Sequence, residues 1–103
     1  MNYTDSNPVA KKYLSNKRSF SLEYDTVENT MKALDTESFG EMMMAVAEYE
    51  INGVMPDDNK IKEPLFAFIF NQFKRELDDK RKKYINRCEL NESKRQKKLE
   101  GRQ

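Results

Sequence analysis

Residues 63–88 read EPLFAFIFNQFKRELDDKRKKYINRC, and this stretch decides the fold. Pro64 suits the first turn of a helix, where its missing N–H leaves no intrahelical bond unmade. From Leu65 to Phe73 stand Leu65, Phe66, Phe68, Ile69, Phe70 and Phe73, apolar around most of a helical circumference, as in the central helix of a bundle. The stripe then thins to Leu77, Tyr84 and Cys88, and no Pro or Gly intervenes before Gly101. The spacing predicts one helix over about 64–95. Carried to residue 98 it would be roughly 50 Å long at 1.5 Å per residue. A compact chain of this size has a radius of gyration of only about 13 Å. Its C-terminal half must therefore project, pair with another chain or fray.

Working upstream, Asp35 reads as an N-cap, with Leu34 and Phe39 at the two positions of a hydrophobic staple. The helix that follows reads Phe39, Met42, Met43, Val46, with Tyr49 or Glu50 next on the stripe, and Gly53 and Pro56 end it. This predicts a helix over 36–52 and a loop over 53–62. Before it, Tyr24, Val27, Met31 and Leu34 share a face at helical spacing, predicting a helix over 21–33. A short helix near 8–15 can start at Pro8; a flexible arm is the alternative. The expected core is Phe20, Tyr24, Val27, Met31, Leu34, Phe39, Met43, Val46, Phe66, Ile69, Phe70, Phe73 and Leu77. The fold class is all-α: a small bundle of three main helices with a long, projecting, basic C-terminal helix. Three parts follow: a polar N-terminal arm or short helix (1–18), a helical core (19–79), and a basic helical arm and tail (80–103).

Charge divides along the same line. Residues 1–79 carry 9 Lys/Arg and 15 Asp/Glu, a net of −6, whereas residues 80–103 carry 10 and 3, a net of +7. The overall +1 hides a polar molecule. With 37% hydrophobic and 36% charged residues in 103, a small core forms but a deep enclosed substrate cavity does not. There is no His and one Cys, Cys88. An intrachain disulfide and a His/Cys zinc site are thereby excluded. The first residues, MNYTDSNPVAKKYL, lack the apolar region of a signal peptide. The longest apolar run, Leu65 to Phe70, is far short of a membrane span. A cytoplasmic protein with no membrane association is expected.

Several clusters invite a chemical reading and receive a plainer one. Asp57-Asp58-Asn59 starts like a calcium loop but lacks its Gly and distal Glu. Adjacent Asp78 and Asp79 diverge by about 100° on a helix. Together with Glu76 they are better explained by i,i+4 pairing, as Glu76–Lys80, Asp78–Lys82 and Asp79–Lys83. Cys88 beside Arg87 has no His to act as its base. Met42 and Met43 read as core and Met44 falls off the stripe, where an adaptable protein-binding surface is the alternative. Leu65 and Phe68 also lie off the narrow stripe and either fill a core between three helices or form an oligomer face. Phosphate loops, nucleophile elbows and zinc-finger spacings are absent. No cofactor and no metal are expected, and the protein reads as a non-enzyme.

The basic arm is the remaining candidate. Lys80, Arg81, Lys83, Arg87, Lys94, Arg95, Lys97 and Lys98 are read as a nucleic-acid or partner-binding set. A solvated helix whose lysines pair one turn back is the plain alternative, strongest for Lys80 to Lys83. The cluster Lys94–Lys98 has less acidic cover.

From Ser19 to about Lys94 the chain resembles a family of small proteins, a domain of unknown function found in phages, mobile elements and Gram-positive bacteria. The carrying residues are Ser19-Phe20, Tyr24, Leu34-Asp35 with Glu37 and Gly40, Tyr49, Gly53 and Pro56. They continue as Glu63-Pro64, Phe66 with Phe68-Ile69, Leu77-Asp78-Asp79, Lys83-Tyr84 and Cys88. The terminal Lys94-Arg95-Gln96-Lys97-Lys98-Leu99 is basic but lacks the double Gly frequent in such tails. The resemblance implies a helical fold, a phage or mobile-element origin in a bacterial host cell, and a nucleic-acid context. It brings no catalytic residues.

Two functions are expected. The first is an accessory protein that binds nucleic acid, or a nucleoprotein complex, through its basic arm. The second is an inhibitor of a host protein, such as a CRISPR effector or other defence nuclease, or a replication factor, acting by protein–protein contact. A two-fold homodimer through the long helix is the expected self-assembly.

Overall fold

A computed structural model describes residues 13–100, with side chains to residue 98. Four α-helices lie wholly within the described residues: α1 (Tyr24–Ala33), α2 (Thr36–Asn52), α3 (Asp58–Ile61) and α4 (Pro64–Glu100). No strand occurs among the described residues. The protein is a small all-α bundle in which α1 and α2 pack against the first half of α4. The rest of α4 extends away, giving principal dimensions of 62 × 27 × 18 Å and a radius of gyration of 17.2 Å. No helix of the described residues is long and apolar enough to cross a membrane.

The boundaries follow local chemistry. Asp35 caps α2, its Oδ1 accepting from the Ser38 N–H at 2.8 Å. That bond holds the Asp35 carboxyl below the ordinary carboxylate range. At the other end Gly53 takes φ 69°, a left-handed conformation available to Gly without a Cβ penalty. There the Gly53 N–H reaches the Tyr49 carbonyl at 2.9 Å and Val54 N–H reaches that of Glu48 at 3.4 Å. The 53–62 connection is not wholly loop: Asp58–Ile61 form one helical turn. α1 begins at Tyr24 rather than residue 21, and α4 runs on to Glu100. Tyr13 and Leu14 are helical; the rest of the expected 8–15 helix lies outside the described residues.

The core consists of Met42, Val46, Tyr49, Phe66, Ile69, Phe70, Phe73 and Leu77, with Leu22, Val27, Leu34, Met43, Ala45 and Ile61 packed around it. Tyr49 meets Phe70 edge-on at 5.8 Å between ring centroids. Phe66 lies stacked with Phe70 at 6.3 Å. Three expected core residues are exposed instead: Phe20, Tyr24 (88%) and Met31 (60%). The reason is the face α1 uses. Thr30 is buried, its hydroxyl donating to the Thr26 carbonyl at 2.7 Å, and the Thr26 hydroxyl donates to the Glu76 carboxylate. A polar side chain that bonds its own helix one turn back can enter a core without an unmet hydrogen bond. That turns the Tyr24–Met31 side outward. Phe39 is only half-buried, and Met42 rather than Met43 is the fully buried methionine of α2.

Candidate functional site

Residues 16–21 run beside α4 and leave a groove of about 530 Å³ between themselves and the helix. Five cations line it: Lys17 and Arg18 from the segment, and Lys80, Lys83 and Arg87 from α4. Glu50 is the one carboxylate among the described residues of the lining, and Phe20 and Tyr84 supply aromatic surface. The α4 members share a face because they stand at i, i+3 and i+7.

Two of the five cations hold the groove together. Lys17 pairs with Glu50 at 2.8 Å and sits over the Tyr84 ring at 5.9 Å. Lys80 pairs with Glu23 at 2.8 Å and donates to the Ser21 carbonyl at 3.0 Å, fastening the approach to α1 onto α4. Hydrogen bonding and charge from Lys80 keep the Glu23 carboxyl below its ordinary range. The other three face solvent more freely. Arg18 donates through Nη1 to the Ser15 carbonyl at 2.8 Å and is exposed. Lys83 meets Asp79 at 3.1 Å, but the two side chains are 75% and 63% exposed, and such a surface pair contributes little. Arg87 is exposed.

Arg81 does not join them. It lies on the core side of α4, one turn after Leu77, and is buried. Its guanidinium donates to Glu50 and, at 2.7 Å, to Asp78, and stands over the Tyr49 ring at 5.4 Å. A charge taken from water must be paired and hydrogen-bonded, and Glu50 on α2 meets that demand. As a surface contact Arg81 is therefore withdrawn. Asp78 accepts from the Tyr49 hydroxyl, Lys74 and Arg81. Burial pushes its carboxyl up, but these donors outweigh burial and hold it below its ordinary range. Burial, then the bond to Asp78, raises the Tyr49 phenol. Of the three expected i,i+4 pairs only Asp79–Lys83 forms. Glu76 turns to Thr26, Asp78 to Lys74 and Arg81, and Lys80 to Glu23.

The N-terminal segment also fastens the arm. The Tyr84 hydroxyl donates to the Tyr13 carbonyl at 3.4 Å and the Tyr13 hydroxyl donates to Glu92. The bond to Glu92 chiefly pushes the Tyr13 phenol up to about 12. α4 is thus supported as far as Glu92. Beyond it Lys94, Arg95, Lys97 and Lys98 are exposed. Lys94, Lys97 and Lys98 share a face, with Arg95 about 100° away.

Lys17 and Arg18 are groove residues that the sequence reading left out. Their adjacency was visible, but nothing in the sequence places residue 18 beside residue 87. No group of three metal-ligating side chains occurs among the described residues, and Cys88 is half-buried.

Among known families, one described as a family of unknown function (DUF6291) matches residues 19–103. No curated protein and no solved structure matches the chain.

Proposed function

The chain belongs to that family of unknown function, and we propose that it binds the phosphate backbone of nucleic acid without catalysing a reaction. The contact surface is the groove between residues 16–21 and α4, extended along the arm to Lys94–Lys98. The supporting observation is the groove itself, with five cations against one carboxylate. Arg18, Lys83 and Arg87 meet phosphate oxygens, Arg as a planar fork and Lys as a point charge. Binding releases counterions from the nucleic acid. Phe20, 38% exposed beside the cations, offers a face for stacking an unpaired base. The acidic body opposes approach, so affinity is modest and independent of sequence. A phage or mobile-element accessory protein acting on nucleic acid or a nucleoprotein complex is the setting the family resemblance implies.

Titration of labelled single-stranded and duplex oligonucleotides at several salt concentrations tests this. For duplex DNA the log–log slope is about −0.9 per neutralised phosphate, so Lys94, Arg95, Lys97 and Lys98 together contribute about −3.6, and Arg18, Lys83 and Arg87 about −2.7 more. Deleting residues 91–103 should weaken binding strongly. Absence of binding even at low salt would reject the reading.

A second reading, inhibition of a host protein by direct binding, is favoured by the cation-free acidic stretch of residues 33–59. It predicts a complex with one host protein that survives nuclease treatment of the lysate.

A further inference from the structure

A second cavity opens at the other end of the bundle, between α2, the 53–57 connection and the start of α4. It holds about 270 Å³, room for a single apolar side chain and its flanks, and is lined by Met44, Val54, Met55 and Phe66. Met44 is 72% exposed, Val54 51% and Met55 39%. These exposed side chains around one hollow can seat a single apolar group, and methionines adapt to what enters. Glu41, Glu48 and Asp57 stand in the same lining against one cation, Lys60, which pairs with Glu41 at 2.7 Å and leaves Glu48 and Asp57 in excess. They belong to the run 33–59, which holds seven Asp/Glu and no Lys/Arg. An occupant that fits must present an apolar anchor flanked by cations.

The chain itself carries that complement. Leu90 is 55% exposed on α4. Arg87 and Lys94 stand three before and four after it, and Lys83 and Lys97 seven to either side, all exposed. These spacings put the five residues on one helical face. Phe66 of the cavity and Leu90 of the stripe stand 24 residues apart on the straight run of α4, about 36 Å at 1.5 Å per residue, so neither can satisfy the other within one molecule. We infer that the cavity receives Leu90 of a second copy, with that copy's arm cations against Glu48 and Asp57. The contact is heterologous and head-to-tail, and it propagates unless the geometry closes a ring. It is small, placing it among weak, transient interfaces. This inference is independent of nucleic-acid binding, although both draw on the arm and therefore compete for it.

Sedimentation of the full-length protein up to high micromolar concentration tests it. At low salt the sedimentation coefficient should rise with concentration, and added salt, which screens exposed charges, should abolish the rise. Met55→Lys in the cavity and Leu90→Asp on the arm should each leave a monomer with an unchanged thermal melt. Should Met55→Lys alter the melt, Met44→Lys replaces it. Mixing the two variants should restore a one-to-one dimer that grows no further, because one retains a good arm and the other a good cavity. A wild-type chain that stays monomeric at low salt overturns the inference. So does association that survives either substitution, or a mixture that stays monomeric.

Discussion

Arg81 and Glu50, from α4 and α2, form an ion pair whose side chains are 6% and 5% exposed. The same carboxylate accepts from Lys17 at 2.8 Å, so one buried acid joins the N-terminal segment, α2 and α4. The bundle and the groove therefore share a support.

Removing one partner takes an ion pair from the other, although Glu50 keeps Lys17 and Arg81 keeps Asp78. Glu50→Ala or Arg81→Ala should each destabilise by about 1–3 kcal/mol, and replacing both by apolar side chains of similar volume should recover only part of that, because Lys17 loses Glu50 as its partner. Denaturant unfolding of the two single variants and the Glu50→Leu/Arg81→Met double variant measures this. A double variant that loses the sum of the two singles would show no coupling between Arg81 and Glu50.

Burial ranks the aromatic truncations. Phe73 is fully buried, so Phe73→Ala should cost about 3–5 kcal/mol. Half-buried Phe39 removes less area from water, and Phe39→Ala should cost roughly 1–2 kcal/mol. Asp35→Ala, which loses the cap on Ser38, should cost about 1 kcal/mol. Thermal melts of the three variants give the order.

The Tyr13 phenol is raised, so its folded state holds the proton more tightly than the unfolded one. The bond to Glu92 therefore stabilises the docked segment fully below pH 10, and that stability is lost as pH rises towards about 12. Glu92→Gln should lower the tyrosinate titration midpoint of Tyr13. Difference titration against Tyr13→Phe isolates the group, and an unmoved midpoint would place Tyr13 elsewhere.

Asp78 works in the opposite direction. Its carboxyl is depressed in the folded protein, so its contribution is present above its unfolded pKa and lost as pH falls through the folded value. Acid unfolding of Asp78→Asn should depend less steeply on pH than that of the wild type below about pH 4. Parallel curves would remove Asp78 from the acid response.

The candidate cations should separate by role. Lys83→Glu and Arg87→Glu should each flatten the salt dependence of nucleic-acid binding by about 0.9 in slope or more. Arg81→Lys should lower the melting temperature and leave the slope unchanged, because Arg81 faces Glu50 and Asp78. A slope altered by Arg81→Lys alone would reverse that assignment.

The all-α class, the Asp35 and Gly53 boundaries of α2 and the long helix from Pro64 are determined by the sequence alone. Each depends on chemistry within a turn or two: a cap, a residue free to adopt positive φ, an unbroken apolar period. The opposition of an acidic body and a basic arm is equally local, being a count along the chain. Tertiary structure decided which members of the arm are available. Arg81 stands one turn after Leu77 on the core stripe, but only packing against α2 brings Glu50 within reach and makes burial tolerable. Lys17 and Arg18 reach the groove because Lys80, Glu23, Tyr13 and Glu92 fasten a segment separated from Lys83 and Arg87 by more than sixty residues. Thr30 displaced Met31 from the core because its hydroxyl is satisfied by its own helix, which a hydropathy pattern does not register. Charge and period are sums over neighbours in sequence, whereas a groove is a relation between neighbours in space.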